Sequence, residues 1–495
     1  MGLLSLAIWL PIAFGVLLLT LGRDSQTGAV RWLALLGALL GLVVTIPLIA
    51  GFDTSTAQMQ FVEKMLWIER FSVHYHLGVD GLSFWFVPLT AFITVIVVIA
   101  SWTNIQERVN QYMGAFLILS GLMIGVFAAL DGLLFYVFFE ATLIPMYLII
   151  GIWGGPNRIY AAFKFFLYTL LGSLLTLVAI IYLYNAAGGS FDILTWHQLP
   201  LGKLPQTLVF FAFFAAFAVK VPMFPVHTWL PDVHVEAPTG GSMVLAAITL
   251  KVGAYGFLRF ILPILPDASR YFAPAIIVLS LIAVIYIGMV ALVQTDMKKL
   301  VAYSSISHMG FVTLGMFLFS GGYLNDWALK GAIIQMISHG FVSAAMFMCI
   351  GVMYDRLHTR NIADYGGVVN VMPKFAAFMM LFGMANAGLP ATSGFVGEFM
   401  VIMGAVEVNF WVGALAALTL IYGASYTLWM YKRVVFGPIT NPEVKEMKDI
   451  NCREFAILAI LAIAVLGMGL YPQAFIEVVH QAANDLITHV AQSKI

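Results

Sequence analysis

The chain has 495 residues, with 24 basic and 24 acidic side chains and a formal net charge of zero. Charged residues make up 10% and the AVILMFWYC set 62%, against about 25% charged in an ordinary soluble domain. So few charges cannot cover a water-soluble fold of this size, and a neutral chain has no electrostatic footprint for a polyanion. Two cysteines, Cys349 and Cys452, suffice neither for a disulfide framework nor for an iron–sulfur site. A polytopic all-α membrane protein remains.

A spanning helix needs about 20 mostly apolar residues. Fourteen runs meet that need, at 3–21, 30–51, 79–101, 112–130, 132–152, 162–185, 206–228, 240–262, 272–294, 299–319, 328–354, 373–403, 408–431 and 454–471. The period-2 alternation of a membrane barrel is absent. The first run ends at Leu21-Gly22-Arg23 without a small-residue cleavage site, so it reads as a retained span. The connection at 52–78 holds Trp67 and Tyr75 as interfacial anchors, and 434–453 is the most charged stretch. Connections after odd-numbered runs carry fifteen Lys or Arg, and those after even-numbered runs carry six: Lys64, Arg70, Lys203, Arg259, Arg270 and Lys330. By the positive-inside rule the odd connections face the cytoplasm, and both termini face outward.

Few charges remain inside the runs. At 1.5 Å per residue, Lys220 lies about 20 Å into its helix and Lys251 about 16 Å past Gly240. Glu140 is about 12 Å past Gly132, and Glu398 about 14 Å before Glu407. His308 and His339 each lie about 14 Å beyond a loop-edge lysine. All six sit near mid-depth in a core about 30 Å thick. A charge there costs at least about 2.5–3.5 kcal/mol. Structural ion pairing is one reading, and buried pairs are often no better for stability than apolar packing. A proton or ion relay is the sharper one. Burial lowers a lysine pKa and a nearby carboxylate raises it, so such a lysine changes state when its neighbour moves. Histidine does the same near neutral pH, although each of these histidines is also compatible with plain packing.

Two runs are broken near these charges. Lys220-Val-Pro222-Met-Phe-Pro225 puts two prolines inside a span, which frees carbonyls near Ala218 and Val221. Gly388-Leu-Pro390-Ala-Thr-Ser-Gly394 interrupts another just before Glu398. Irregular backbone at membrane depth needs protein or a water-filled cavity around it, and paired broken helices point to a transporter built from inverted repeats. Pro145, five residues after Glu140, loosens a third helix. No residue-level repeat aligns. His227, Asp232, His234 and Glu236 fall within ten residues but match no metal-ligand spacing. His308 and His339 as haem ligands would lack the second pair that a two-haem bundle uses. There is no P-loop or dinucleotide fingerprint.

The segment from Phe217 to Thr239, with Lys220, Pro222, Pro225, His227, Trp229, Asp232, His234, Glu236 and Pro238, resembles the signature of the antiporter-like membrane subunits of respiratory complex I. Subunits of multi-subunit sodium/proton antiporters share it. Leu250-Lys251-Val-Gly-Ala-Tyr-Gly, Asp296-Met-Lys298-Lys299 with Ser307-His308-Met-Gly, and Ile337-Ser-His339-Gly extend the resemblance over nearly the whole chain. Asp80-Gly-Leu-Ser and Gly397-Glu398-Phe fit the member with glutamate on the broken twelfth helix, where paralogues commonly carry lysine. The long lateral helix of the largest paralogue is not expected here.

The resemblance implies two inverted five-helix repeats with discontinuous helices 7 and 12. Helices 1–3 would occupy 1–101, the first half (helices 4–8) 112–262, the second half (helices 9–13) 272–433, and helix 14 454–471. Glu140 and Lys220 would be the coupled pair of the first half-channel. Lys251 would link it to the second, Glu398 would end that half, and His308 and His339 would lie on the axis between. The chain would bind no cofactor and no metal. NADH, FMN, iron–sulfur clusters and quinone would belong to the complex, with the paralogous subunits L and N among the partners, in a bacterial plasma membrane. A subunit of a sodium/proton antiporter and a mainly structural membrane spacer are the alternatives.

Overall fold

The computed structural model describes residues 2–22 and 24–495. Eleven helices there are long and apolar enough to cross a membrane: α1 (Leu3–Leu21), α2 (Thr27–Gly51), α4 (Val109–Ala128), α5 (Gly132–Trp153), α6 (Arg158–Ala186), α7 (Lys203–Lys220), α9 (Thr239–Ile264), α10 (Pro266–Leu292), α12 (Asp326–Leu357), α15 (Phe410–Val435) and α16 (Cys452–Leu470). The other runs correspond to α3 (Phe86–Ala100), α11 (Met297–Met316) and two half-helices, α13 (Pro373–Asn386) and α14 (Ser393–Val408). A short α8 (Trp229–Glu236) follows the α7 break.

Local chemistry sets the helix ends. Asp131 divides α4 from α5 because its carboxylate accepts hydrogen bonds from the Leu133 and Leu134 amides. Asp296 caps α11 through the Lys298 and Lys299 amides. Inside α5 the regular turns are interrupted at Thr142, one residue after the Ala141 carbonyl that Pro145 would block. Helix α3 begins seven residues later than the apolar run at 79. Residues before it form a turn in which Asp80 accepts from the Leu82 and Ser83 amides.

Helices α9 and α12 are enclosed by protein along their whole apolar windows, whereas α1, α2, α6, α10, α15 and α16 are largely exposed. Their outward residues are apolar, among them Ile159, Leu171, Val178 and Ile421, as lipid-facing surfaces require. Close approach of α12 to α14 uses small residues: a Cβ on Gly397 would meet Gln335 Cα at 2.7 Å, and one on Gly331 would meet the Val401 amide at 2.8 Å.

Connections gather on two faces. On one, Arg356 bonds Glu454, Lys298 Nζ donates to the Ala237 carbonyl, Asn104 Nδ2 donates to Asp355, and Asp449 accepts from the Lys374 amide. On the other, a hairpin of β1 (Gln60–Ile68) and β2 (Val73–Val79) lies where the sequence predicts only a loop. Its Glu63 accepts from the Gly2 and Ser5 amides, and Tyr75 bonds Trp9 and Ser5. Trp67 stays half exposed.

Two further departures from the sequence reading follow. A further helix, α17 (Gln473–Ala491), lies beyond the last apolar run. It packs Val478, Ala482, Leu486 and Val490 inward, and too few of its residues are apolar for it to read as a span. Arg259, Lys298 and Lys330, counted as loop charges, are buried on α9, α11 and α12 with relative exposures of 3–5%. Arg23 lies outside the described residues. The freed carbonyls at the α7 break have protein partners: Ala218 accepts from the Met223 amide, and Val219 from the Trp229 indole at 2.9 Å.

Candidate functional site: a buried row of ionisable groups

Four of the six relay candidates form one buried row. Lys251 stands in α9 between two π-helical turns, Leu245–Thr249 and Phe257–Ile261, a distortion common at functional sites. Its ammonium donates to the Ala246 carbonyl at 2.5 Å and lies 2.7 Å from His339 Nδ1 on α12. The His339 and His308 rings are 5.8 Å apart, centroid to centroid. His308 Nδ1 on α11 stands 2.7 Å from Glu398 Oε1 on α14, an ion-pair contact off the hydrogen-bond line. Each group is at most 3% exposed. Lysine, two imidazoles and a carboxylate thus follow one another across α9, α12, α11 and α14, in a site where water does not screen them.

The surroundings hold the Glu398 end. Gln335 Nε2 donates to Glu398 Oε1 at 3.2 Å. Gly388, in the broken stretch, has φ +76, and a Cβ there would meet Glu398 Oε2 at 2.8 Å. Glycine is therefore required twice, for the left-handed backbone and for room beside the carboxylate. Tyr426 OH sits 3.5 Å from His308 Nε2 and 2.9 Å from Ser304, which bonds Asn386. Gln335, Ser304, Tyr426 and Asn386 are absent from the sequence reading. They are neutral groups spread over α11, α12, α13 and α15, with no local motif.

Lys220 and Glu140 stand apart from the row. Lys220 is buried at the end of α7, its ammonium without a hydrogen-bond partner and over the Phe139 and Phe165 rings at 4.9 and 5.8 Å. Cation–π contacts of this kind contribute about 2 kcal/mol when desolvated. Glu140 lies on α5 outside ion-pair distance from it, with Oε1 unpartnered. Glu140 is only partly buried, on a face with the exposed Val137 and Ile144.

The dismissed metal cluster resolves into separate partners. Asp232 pairs with Lys164 at 2.7 Å, and Glu236 accepts from the Asn157 amide. His234 is fully buried, stacks on Phe347 at 4.4 Å and has neither ring nitrogen bonded. Phe347 lies eight residues, about 12 Å, along α12 from His339. Among the described residues no group of three or more His, Cys, Asp or Glu is placed to hold a metal.

The chain is thus a polytopic helical membrane protein with a buried row of titratable side chains, the Glu398 end of which lies beside a helix break. The sequence profile of the family described as NADH:quinone oxidoreductase/Mrp antiporter, TM, matches residues 129–423. The chain belongs to this family. It is 50% identical to NADH-quinone oxidoreductase subunit M of Rhodobacter capsulatus, over 98% of this chain and 96% of that one. It is 44% identical to NADH-ubiquinone oxidoreductase chain 4 of Marchantia polymorpha, over 98% and 97%. A chain of respiratory complex I from Thermus thermophilus with bound NADH superposes with a TM-score of 0.89 at 31% identity, covering 98% and 99%. The Mrp complex from Dietzia sp. DQ12-45-1b shares the fold, with a TM-score of 0.84 at 21% identity, over 99% of both chains.

Proposed function

We propose that the chain is a proton-translocating membrane-arm subunit of an NADH:quinone oxidoreductase, with quinone reduction elsewhere in the complex as its energy source. The observation that carries this is the buried row Lys251–His339–His308–Glu398, with 2.7 Å contacts at its two ends and the two imidazole rings 5.8 Å apart between them. A stabilising role alone does not account for it, because four buried titratable groups in series cost more than apolar packing of the same volume.

The steps follow from the groups present. A charge shift beside Glu140, which faces the lateral surface, changes the field at Lys220. Lys220 loses or gains a proton as that field changes. Its proton passes through water into the row, where Lys251, His339, His308 and Glu398 exchange it. The imidazoles relay it by accepting at one nitrogen while releasing from the other. Lys251 and Glu398 are the two ends between which it is exchanged. The bound NADH, FMN, iron–sulfur clusters and quinone belong to partner subunits, subunits L and N among the neighbours. On this reading the bundle crosses a bacterial plasma membrane fourteen times, with both termini on the outer side.

The test compares protons moved per NADH oxidised in proteoliposomes holding the purified complex. Lys251→Ala and Glu398→Gln are expected to lose most of that ratio while the complex still assembles, and so are Lys220→Ala and Glu140→Gln. A wild-type ratio in all four rules out the relay. A native gel stained for NADH dehydrogenase activity settles the assembly. If the chain migrates apart from the active band, the sodium/proton antiporter reading replaces this one.

A further inference from the structure

The row needs an aqueous opening, and the face that carries the hairpin and α17 has a polar one. A cavity of about 390 Å³ is lined by Asp80, His197, Arg259, Asp485 and His489. These come from the turn before α3, the connection after α6, helix α9 and helix α17. Its floor is the buried Arg259–Asp80 ion pair, at 2.5 Å, with both side chains at most 6% exposed. Arg259 also donates from Nε to Tyr255 OH at 2.9 Å.

Geometry joins this floor to the row. Lys251, Tyr255 and Arg259 are spaced four residues apart on α9, so they form a strip on one side of the helix. From Lys251 to Arg259 is about 12 Å along the axis. The second π turn carries Arg259, and its carbonyl bonds His197 Nε2 at 2.9 Å. Helix α17 roofs the cavity. Gly81 meets the Val478 carbonyl of α17 so closely that a Cβ would have no room, His489 bonds the Pro263 carbonyl, and Lys494 bonds the carbonyls of Pro263 and Ile264.

We propose that this cavity is the aqueous outlet for protons leaving Lys251, and that Tyr255 with the Arg259–Asp80 pair is the barrier between them. The inference rests on the relay reading above. In the step itself, the Lys251 ammonium gives up a proton and becomes the neutral amine. The proton passes by water and the Tyr255 hydroxyl, which releases one proton as it accepts another, into the cavity water. The salt-bridged Arg259 and Asp80 side chains fill the inner end of the cavity, so that hydrated cations do not pass while a proton moves over the Tyr255 hydroxyl.

The experiment plugs the opening. In a Cys452→Ser background, Asp485→Cys and Leu194→Cys, on opposite walls, are each labelled with a bulky maleimide, and the complex is reconstituted. Thr488→Cys, an exposed position on α17 outside the cavity lining, is the labelled control. Labelling at 485 and at 194 is expected to reduce protons moved per NADH strongly relative to the same variants unlabelled, and labelling at 488 to leave the ratio unchanged. Full labelling at 485 and 194 with an unaltered ratio overturns the outlet, and so does an equal loss at 488. Lys251→Ala separates the two readings. If it abolishes pumping while the plugs do nothing, the outlet is wrong and the relay stands. If it too leaves pumping intact, both fall.

Discussion

Removing Arg259 leaves Asp80 buried without its counter-charge. Breaking one partner of a buried pair costs about 3–5 kcal/mol, far more than the pair itself contributes. Arg259→Leu is therefore expected to lower the melting temperature of the subunit clearly, and Asp80→Leu/Arg259→Leu to recover much of that loss, as followed by thermal unfolding of the purified complex. His197 gives a prediction in pH. Burial, then the charges of Arg259, His489 and Lys494, push its imidazole down from 6.5 to about 3. The folded form holds it neutral, while the unfolded chain takes up a proton below pH 6.5, so its contribution is complete above that pH and is lost as pH falls towards 3. Limited proteolysis of the 187–202 connection should accelerate across that window, and His197→Gln should flatten the dependence. The lysines and glutamates inside the spans were legible because a charge inside an apolar run stands out in composition alone. Arg259 was misread because it lies close to the end of such a run, where sequence does not distinguish a loop charge from a buried one.

At the scale of the element, the helix breaks position the chemistry. Gly388→Ala forces a Cβ into a left-handed backbone and against the Glu398 carboxylate. A cost of about 1–3 kcal/mol is expected, together with reduced pumping. Gly467→Ala, on α16 with open space around its Cβ position, should instead raise stability by up to about 1 kcal/mol. Opposite shifts of the melting midpoint in the two variants are the check. Both breaks could be read from Pro222, Pro225 and the Gly388–Pro390 stretch, because proline chemistry is local. Helix α17 and the hairpin could not be found by a search for apolar runs. In α17 the apolar residues recur with helical period on one side only. The hairpin's first strand is mostly exposed, its register is shifted by bulges, and its contacts with Ser5, Trp9 and Asp192 are long-range. Gln335, Tyr426 and Asn386 were missed for the same reason, since only tertiary packing gives them a role.

For the whole molecule, the arrangement of α9 and α12 is decisive. Most other spanning helices leave part of their surface exposed, whereas these two are enclosed throughout their apolar windows, and Lys251 and His339 meet between them. The row therefore runs from helix to helix, not along any one of them, and sequence spacing puts each member about 14–16 Å from a helix end or loop edge, which predicts similar depths. A charge displaced along such a path stays on nearly one equipotential of the transmembrane field, which acts at about 2.3 kcal/mol per elementary charge per 100 mV only on movement along the membrane normal. The lateral transfer proposed between Lys251 and Glu398 would thus be electrically silent. The work against the membrane voltage falls on the uptake and release steps at the two faces. Under an imposed voltage those steps should slow, while the exchange within the row keeps its rate, so that a membrane close to its maximum potential stalls the subunit at its openings and leaves its interior in equilibrium.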